Sequence, residues 1–405
     1  MKDLRINGER LWQRLMTMAQ IGATAKGGVC RVALTDEDKA GRDLFVQWCE
    51  AAGLTVTVDE MGNIFGRRNG RFDTTPPVLA GSHLDSQPTG GKFDGVYGVL
   101  AALEVIETLN DYNITTDAPL EIVSWTNEEG ARFSPAMISS GVFAGVFDLE
   151  YAYGLRDKKG LTLGDELQRI GYRGDIPAKP RPYKATFEIH IEQGPILENA
   201  EKQIGVVTGV QGTRWYHLTI PGKESHAGTT PMELRKDPVK TAVSLLGQAY
   251  ALADEYMPDI RLTFGDINPG PGVINTIPGE LKITVDIRHP DDAILDKFEE
   301  TLDGMVQAHG AVLENFWKSP AIAFHPDCVA AVETAVSHTN SSAMHLISGA
   351  GHDAVYINRI APTSMIFIPC KDGLSHNELE DAKKEDVIAG GNVLLQAMLI
   401  ASQVL

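Results

Sequence analysis

The run Val78-Leu79-Ala80-Gly81-Ser82-His83-Leu84-Asp85, preceded by Pro76-Pro77 and followed by SQPTGGKFDG (86–95), decides the fold. A short apolar run that breaks into a polar, glycine-rich loop reads as a buried strand ending at that loop. Residues 95–109 (GVYGVLAALEVIETL) then carry apolar side chains at helical spacing, and 120–125 (LEIVSW) is a second strand, ending at Thr126-Asn127-Glu128-Glu129-Gly130. Strand, helix and strand in alternation predict an α/β domain with a mixed, mostly parallel sheet flanked by helices. In such sheets ligands gather beyond the carboxyl ends of the strands.

Upstream, Thr35 followed by Asp36, Glu37 and Asp38 marks a helix start, because a capping hydroxyl and an acidic first turn satisfy free N–H groups and the helix dipole. That helix should run to about Gly53, with a strand over 54–58. Downstream, 185–192 (ATFEIHIE) alternates, which turns His190 away from the apolar face of Ala185, Phe187, Ile189 and Ile191. From about Thr213 the texture changes to two strand-like runs, 216–220 and 282–287, around two helical patterns, 238–253 and 292–308. This predicts a smaller α+β domain over 213–329 inserted into a discontinuous catalytic domain, 1–212 and 330–405, which closes with a helix near 384–400. Gly209, Gly212 and the neighbourhood of Ser341-Ser342 are the expected hinges.

The bulk numbers narrow the function. A chain of 405 residues exceeds the usual size of one core. A formal charge of −18 excludes a nucleic-acid or anionic-membrane partner, since both need a cationic footprint, and suits small molecules or metal cations. There is no apolar run of about 18 residues, and the start, MKDLRINGERLWQRL, lacks the apolar core of a secretory signal, so a cytoplasmic location is expected. Cys30, Cys49, Cys328 and Cys370 show no CxxC spacing, which leaves His, Asp and Glu to hold any metal.

Suitable groups stand at the predicted strand ends: His83 and Asp85, Asp94, the pair Glu128-Glu129, His190 and His376. Two divalent ions need a shared carboxylate plus terminal imidazole and carboxylate ligands, and such a pair activates water for hydrolysis. Adjacent residues at a strand end point in different directions, so one of Glu128-Glu129 can ligate while the other stays free as a base. Each residue by itself is a weak signal.

Together, GSHLDSQPTGGKFDG (81–95), TNEEGARF (126–133), HIEQGPILE (190–198), ESHAGTTPM (224–232), VDIRHP (285–290), SGAGHDA (348–354) and LSHNE (374–378) resemble the hydantoinase/carbamoylase family of dinuclear metal amidases, within the M20-type metallohydrolases, in the family's order and over essentially the whole chain. The resemblance implies Asp94 as the bridging carboxylate, His83 and His190 at one metal, and Glu129 and His376 at the other. It implies Glu128 as general base, Asp85 as the carboxylate that orients the His83 imidazole, and His226 as an oxyanion donor supplied by the neighbouring subunit of a homodimer. Gln193, Asn275 and Arg288 would hold the substrate, and His352, beside Asp353, would line the pocket. A ligand set without thiolates suits Zn²⁺, the default expectation, or Mn²⁺, Co²⁺ or Ni²⁺.

The implied reaction is hydrolysis of the N-carbamoyl bond of a ureido acid to amino acid, carbon dioxide and ammonia. The strings at 87–95 and 152–175 resemble most the branch acting on N-carbamoyl-β-alanine. The N-carbamoyl-L-amino-acid and allantoate hydrolases share every catalytic residue named. An aminoacylase or aminopeptidase, which would use the same metals on another amide, and a non-catalytic metal-binding homologue are the readings outside that group.

Overall fold

A computed structural model describes residues 2–403. The chain divides into two compact units, one formed by Met1–Thr208 with Phe324–Leu405 and the other by Gly209–Ala323. The division falls a few residues before the boundaries expected at 213 and 330. No helix among the described residues is long and apolar enough to cross a membrane.

In chain order the first unit supplies β1 (Thr55–Val58), β2 (Ile64–Arg68), β3 (Val78–His83), β4 (Leu120–Trp125), β5 (Ala185–Ile191) and β6 (Ile204–Val210). The inserted unit adds β7 (Gly212–Pro221), β8 (Ser225–His226), β9 (Arg261–Gly270), β10 (Thr276–Ile277), β11 (Glu280–His289), β12 (Val312–Ser319) and β13 (Ile322–Ala323), and the chain returns with β14 (Ala343–Ser348) and β15 (Thr363–Ile368).

The large sheet runs β1-β2-β4-β3-β5-β15-β6-β13, with β14 also on β6. Its centre, β4-β3-β5-β15, is parallel, and β1, β2, β6 and β13 join antiparallel at the flanks. Every residue of the four central strands is buried. Helices cover both faces of a parallel centre, so these strands read as nearly continuous apolar runs. For the same reason the Glu188–His190 side of β5, expected to be its polar face, is buried as well. Helix Val96–Asp111 lies between this sheet and helices Gly8–Met18 and Lys384–Ala401, and is buried on nearly all sides.

Helix Asp36–Ala51 is capped as its sequence predicts, with the Thr35 side chain accepting from the Asp38 N–H. Its buried Arg42 pairs with Asp38 at 2.8 Å and donates to the Gly62 carbonyl and the Thr126 hydroxyl, which ties the helix to the turn after β4. Buried Arg31 donates to the Leu84 carbonyl and fixes the turn after β3 in the same way. A guanidinium presents five donors in a rigid fork, so one side chain can pin several loop carbonyls.

The inserted unit is a four-stranded antiparallel sheet, β12-β7-β11-β9, with helices Pro238–Asp254 and Asp292–Ala308 packed on one face. Tyr216, Leu218, Ile220, Leu281, Ile283, Val285 and Ile287 point into that core together with Leu245, Phe298 and Leu302. The edge strands β9 and β12 were not expected from the sequence. Polar and turn-forming residues such as Asp266, Asn268 and Pro269 mask β9, and an edge strand is where a sheet tolerates Pro.

Candidate active site

Because β3, β4, β5 and β15 are parallel, their carboxyl ends share one edge of the sheet. His83 closes β3, Glu128-Glu129 follow β4, His190 lies one residue before the end of β5, and the loop carrying His376 follows β15. Asp94 sits in the turn between β3 and helix Val96–Asp111. Gly95 in that turn has φ +66°, and a Cβ there would overlap the His83 ring, so the close approach requires glycine.

Two groups of metal-ligating atoms result, each with its atoms within 4.8 Å of one another: His83, Asp94 and His190, and Asp94, Glu129 and His376. Asp94 belongs to both. Its Oδ1 lies 3.5 Å from Nε2 of His83 and 3.1 Å from Nε2 of His190, while its Oδ2 lies 3.7 Å from Nε2 of His376. Glu129 completes the second group at 3.2 Å from His376, and Glu128 stands at 3.4 Å from Nε2 of His83. The five expected ligands and the expected base are therefore brought together in the first unit.

The surrounding bonds set the orientation of these groups. Nδ1 of His83 is 2.9 Å from the Asp85 carbonyl and Nδ1 of His190 is 2.9 Å from the Ile191 carbonyl. Each ring thus keeps its proton on Nδ1 and directs Nε2 at Asp94. The Asp85 carboxylate does not fill the role expected of it: Oδ1 is 3.8 Å from His83, and the two oxygens instead accept the main-chain N–H groups of Glu128 at 3.2 Å and Glu129 at 3.3 Å. The main chain folds back after Leu84, which puts the Asp85 carbonyl, not its side chain, under the imidazole. Gln87 donates from both main chain and side chain to Glu129.

Beneath Asp94 lies a carboxylate that the sequence reading missed. Glu380, 1% exposed, accepts the N–H groups of Phe93 at 2.9 Å and Asp94 at 3.2 Å with Oε1, and its Oε2 lies 3.2 Å from the Ser375 hydroxyl oxygen. Ser375 also donates to Oδ2 of Asp94 at 2.8 Å, as does the Gln193 amide. Gln193 is therefore held against the shared carboxylate. A glutamate four residues after His376 in LSHNELE was the available signal. Asn127, Gln193 and His376 all adopt positive φ (54°, 58° and 52°), a strained backbone in residues next to or within the ligand set.

The electrostatics are those of a site built around positive charge. Burial opposes protonation of His83, but Glu128, Asp94 and Asp85 outweigh it and hold its pKa well above the ordinary value. Burial raises the Asp94 carboxyl, yet His190 and His83 drive it well below the usual range. Burial, together with Asp353, Glu129 and Asp85, pushes Glu128 well up. Among the described residues, the ion-pair partners of Asp94, Glu128 and Glu129 are histidines, with no Lys or Arg. Imidazole Nε2 atoms and carboxylates that converge without a lysine or arginine counter-charge fit a divalent cation, and the oxygen-and-nitrogen set fits Zn²⁺, Mn²⁺, Co²⁺ or Ni²⁺ alike.

Behind His190 is a second buried polar layer. Glu188 accepts from Ser82 at 2.6 Å and from the Ala354 N–H at 3.0 Å, and Asp353 accepts from Ser140 at 2.5 Å. His352, expected to line the substrate pocket, is only 2% exposed and packs on the His190 ring with centroids 4.6 Å apart. Burial and the neighbouring His190 hold its pKa well below the ordinary value, so it is a neutral wall for that ligand.

The remaining expected residues lie in the inserted unit. His226 is exposed on β8, where it pairs with Thr276 of β10, and the Ala227 N–H donates to the carbonyl of Asn275. Gly228 and Thr229 N–H groups both point at Nδ1 of His226, at 3.0 and 3.3 Å. A ring that accepts at Nδ1 carries its proton on Nε2 and offers it outward. Arg288 lies within β11, half-buried, and grips Asp286 two residues before it through Nε at 3.0 Å and Nη2 at 2.7 Å.

Comparison with known proteins agrees with this geometry. Residues 79–400 match the description Peptidase family M20/M25/M40. The chain is 46% identical to an N-carbamoyl-L-amino-acid amidohydrolase of Rhizobium meliloti, over 100% of this chain and 98% of that protein, and 34% identical to an allantoate amidohydrolase of Bacillus subtilis, over 90% of each. A crystal structure of a hydantoinase/carbamoylase family amidase from Burkholderia multivorans superposes with a TM-score of 0.94 at 53% identity, covering 98% of both chains. The chain belongs to peptidase family M20/M25/M40 and is, within it, an amidase of the hydantoinase/carbamoylase type that hydrolyses C–N amide bonds.

Proposed function

We propose that the chain removes the N-carbamoyl group from N-carbamoyl-L-amino acids, using two divalent metal ions, with zinc the expected pair. The observation that carries this reading is the position of Asp94, which gives a different oxygen to each of two ligand groups with Glu128 beside them. The name of the Rhizobium meliloti relative favours an α-amino acid product over β-alanine.

His83 and His190 would hold one ion, Glu129 and His376 the other, and Asp94 both. When bound, the ions supply Lewis acidity toward water and the ureido carbonyl. Glu128, whose carboxyl is pushed up by burial and the neighbouring carboxylates, removes the proton of the attacking water and delivers it to the departing nitrogen. One water is consumed, and the carbamate released breaks down to carbon dioxide and ammonia. His226 Nε2–H is a donor suited to the oxyanion, and Arg288 and Asn275 suit the substrate carboxylate, with Gln193 steadying Asp94. His352 acts in this scheme through His190 rather than on substrate.

We place His226 in the site of a second copy of the chain. The edge strand β9 leaves a row of unpaired main-chain groups, and the neighbouring helix exposes Val239, Val243 and Tyr250, a combination that pairing with another copy would cover. The four free cysteines suit a reducing cytoplasm.

Allantoate is the second reading, carried by the Bacillus subtilis relative. Ammonia release from N-carbamoyl-L-methionine, N-carbamoyl-β-alanine and allantoate, beside amine release from N-acetyl-L-methionine, separates the readings. Turnover of the α-carbamoyl compound supports the proposal, and activity on the acetyl compound alone moves the chain to the aminoacylases.

A further inference from the structure

Residues 22–31, which carry none of the candidate ligands, fold into a tight hairpin beside the metal-ligating loops of the first unit. The Thr24 N–H donates to the Gly28 carbonyl at 2.9 Å, the Gly28 N–H to the Thr24 hydroxyl at 3.1 Å and the Cys30 N–H to the Gly22 carbonyl at 2.7 Å, with Gly27 at φ +90° in the turn.

One arm of the hairpin lies along the loop between His83 and Asp94. Val29 and Gly90 exchange main-chain bonds at 2.9 and 3.0 Å. The Arg31 N–H donates to the Ser86 hydroxyl at 2.8 Å, and the Ser86 N–H donates back to the Arg31 carbonyl at 3.0 Å. The buried Arg31 guanidinium adds a bond to the Leu84 carbonyl at 2.7 Å. Gln87, inside the segment so held, is the residue that donates to Glu129 from main chain at 3.1 Å and from side chain at 2.7 Å.

The same hairpin touches the loop of the other unshared ligand. A Cβ on Gly28 would come within 2.6 Å of the Glu378 Cα and 2.5 Å of the Gly90 carbonyl oxygen. Glu378 is two residues past His376, whose φ of +52° persists only where its surroundings fix the backbone. The pair Lys26–Glu378, 3.5 Å apart with Lys26 exposed, adds little, so main-chain packing makes this contact. His83 and His190, by contrast, sit in the ladders of β3 and β5, opposite Trp125 and Phe367.

We propose, resting on the two-ion reading above, that residues 22–31 are the positioning element of the second metal position. They set Glu129 through Gln87 and His376 through the Gly28–Glu378 contact, while the sheet alone holds the His83–His190 position. A methyl group at Gly28 meets main chain on two sides, so the His376 loop must shift, and a misplaced ligand costs about 10- to 100-fold in metal affinity.

The test titrates metal-stripped parent, Gly28→Ala and Ser86→Ala proteins with Mn²⁺ in a calorimeter, with bound metal measured by mass spectrometry. The parent should take two equivalents. In Gly28→Ala the second should bind about 10- to 100-fold more weakly and the first within about twofold of the parent, with ammonia release from N-carbamoyl-L-methionine returning as the second fills. Ser86→Ala, which removes the acceptor of the Arg31 N–H without a clash, should weaken the same equivalent about threefold or more, and a retained first equivalent shows that each variant is folded. Equal weakening of both equivalents, or parent-like binding of both in the two variants, overturns the inference while leaving the two-ion reading standing. A parent protein that binds a single equivalent overturns that reading and the inference with it.

Discussion

The carboxylate of Asp85 accepts the main-chain N–H of Glu128 at 3.2 Å, and its second oxygen takes that of Glu129 at 3.3 Å. One buried side chain thereby aims both the expected base and an expected ligand. Asp85→Asn puts an amide donor against one of these N–H groups and strands a buried pair at about 1–3 kcal/mol. Turnover should fall about 10- to 100-fold, since each 1.4 kcal/mol is worth tenfold. Metal content measured by mass spectrometry should show loss concentrated at the Glu129–His376 position, with the His83–His190 position retained.

Glu380 makes a contrasting case. Its Oε1 accepts two N–H groups and its Oε2 lies 3.2 Å from the Ser375 hydroxyl, whose one proton goes to Asp94 at 2.8 Å. A glutamine can reproduce that pattern, because its amide N–H can donate to the Ser375 oxygen while its carbonyl serves the two N–H groups. Burial and Asp94 push the Glu380 carboxyl up to about 7, so little charge is lost in the exchange. Glu380→Gln should keep metal affinity and turnover within about threefold, and Glu380→Ala, which leaves the Asp94 turn unsupported, should lower both by about tenfold or more. Equal damage from the two variants would contradict this assignment.

Glu128→Gln tests the base. The amide keeps the size of the side chain but can neither take nor return a proton, so turnover should fall at least about 10²-fold with both metals still bound. Loss of metal together with activity would make Glu128 a ligand instead.

Donation of His226 across subunits gives a mixing prediction. Random reassociation of Glu128→Gln with His226→Ala subunits makes half of the dimers mixed, each with one complete site, so about a quarter of parent activity should return from two nearly inactive proteins. Recovery of nothing, with dimers seen by light scattering, would place His226 in its own subunit's site.

How far the sequence foretold this site depends on what each residue bonds to. Central strands β3 and β4 were readable as apolar runs that stop at polar loops and β5 by its apolar alternation, and that placed His83, Glu128-Glu129 and His190 at strand ends. The Thr35 cap was equally local. The role of Asp85 was not readable, because whether its carbonyl or its carboxylate lies under His83 depends on the path of the main chain after Leu84. Glu380 reaches Asp94 across most of the chain, and no spacing rule encodes a contact of that range. Strands β9 and β12 escaped because an open edge relaxes the alternation on which strand reading relies.

The most direct measurement is a titration of metal-stripped enzyme with Zn²⁺ or Mn²⁺, following ammonia release from N-carbamoyl-L-methionine and bound metal together. If Asp94 bridges two ions, activity rises until two equivalents are bound, and Asp94→Asn loses both the second equivalent and the turnover. Full activity at one equivalent, or turnover in the chelated protein, would contradict the account.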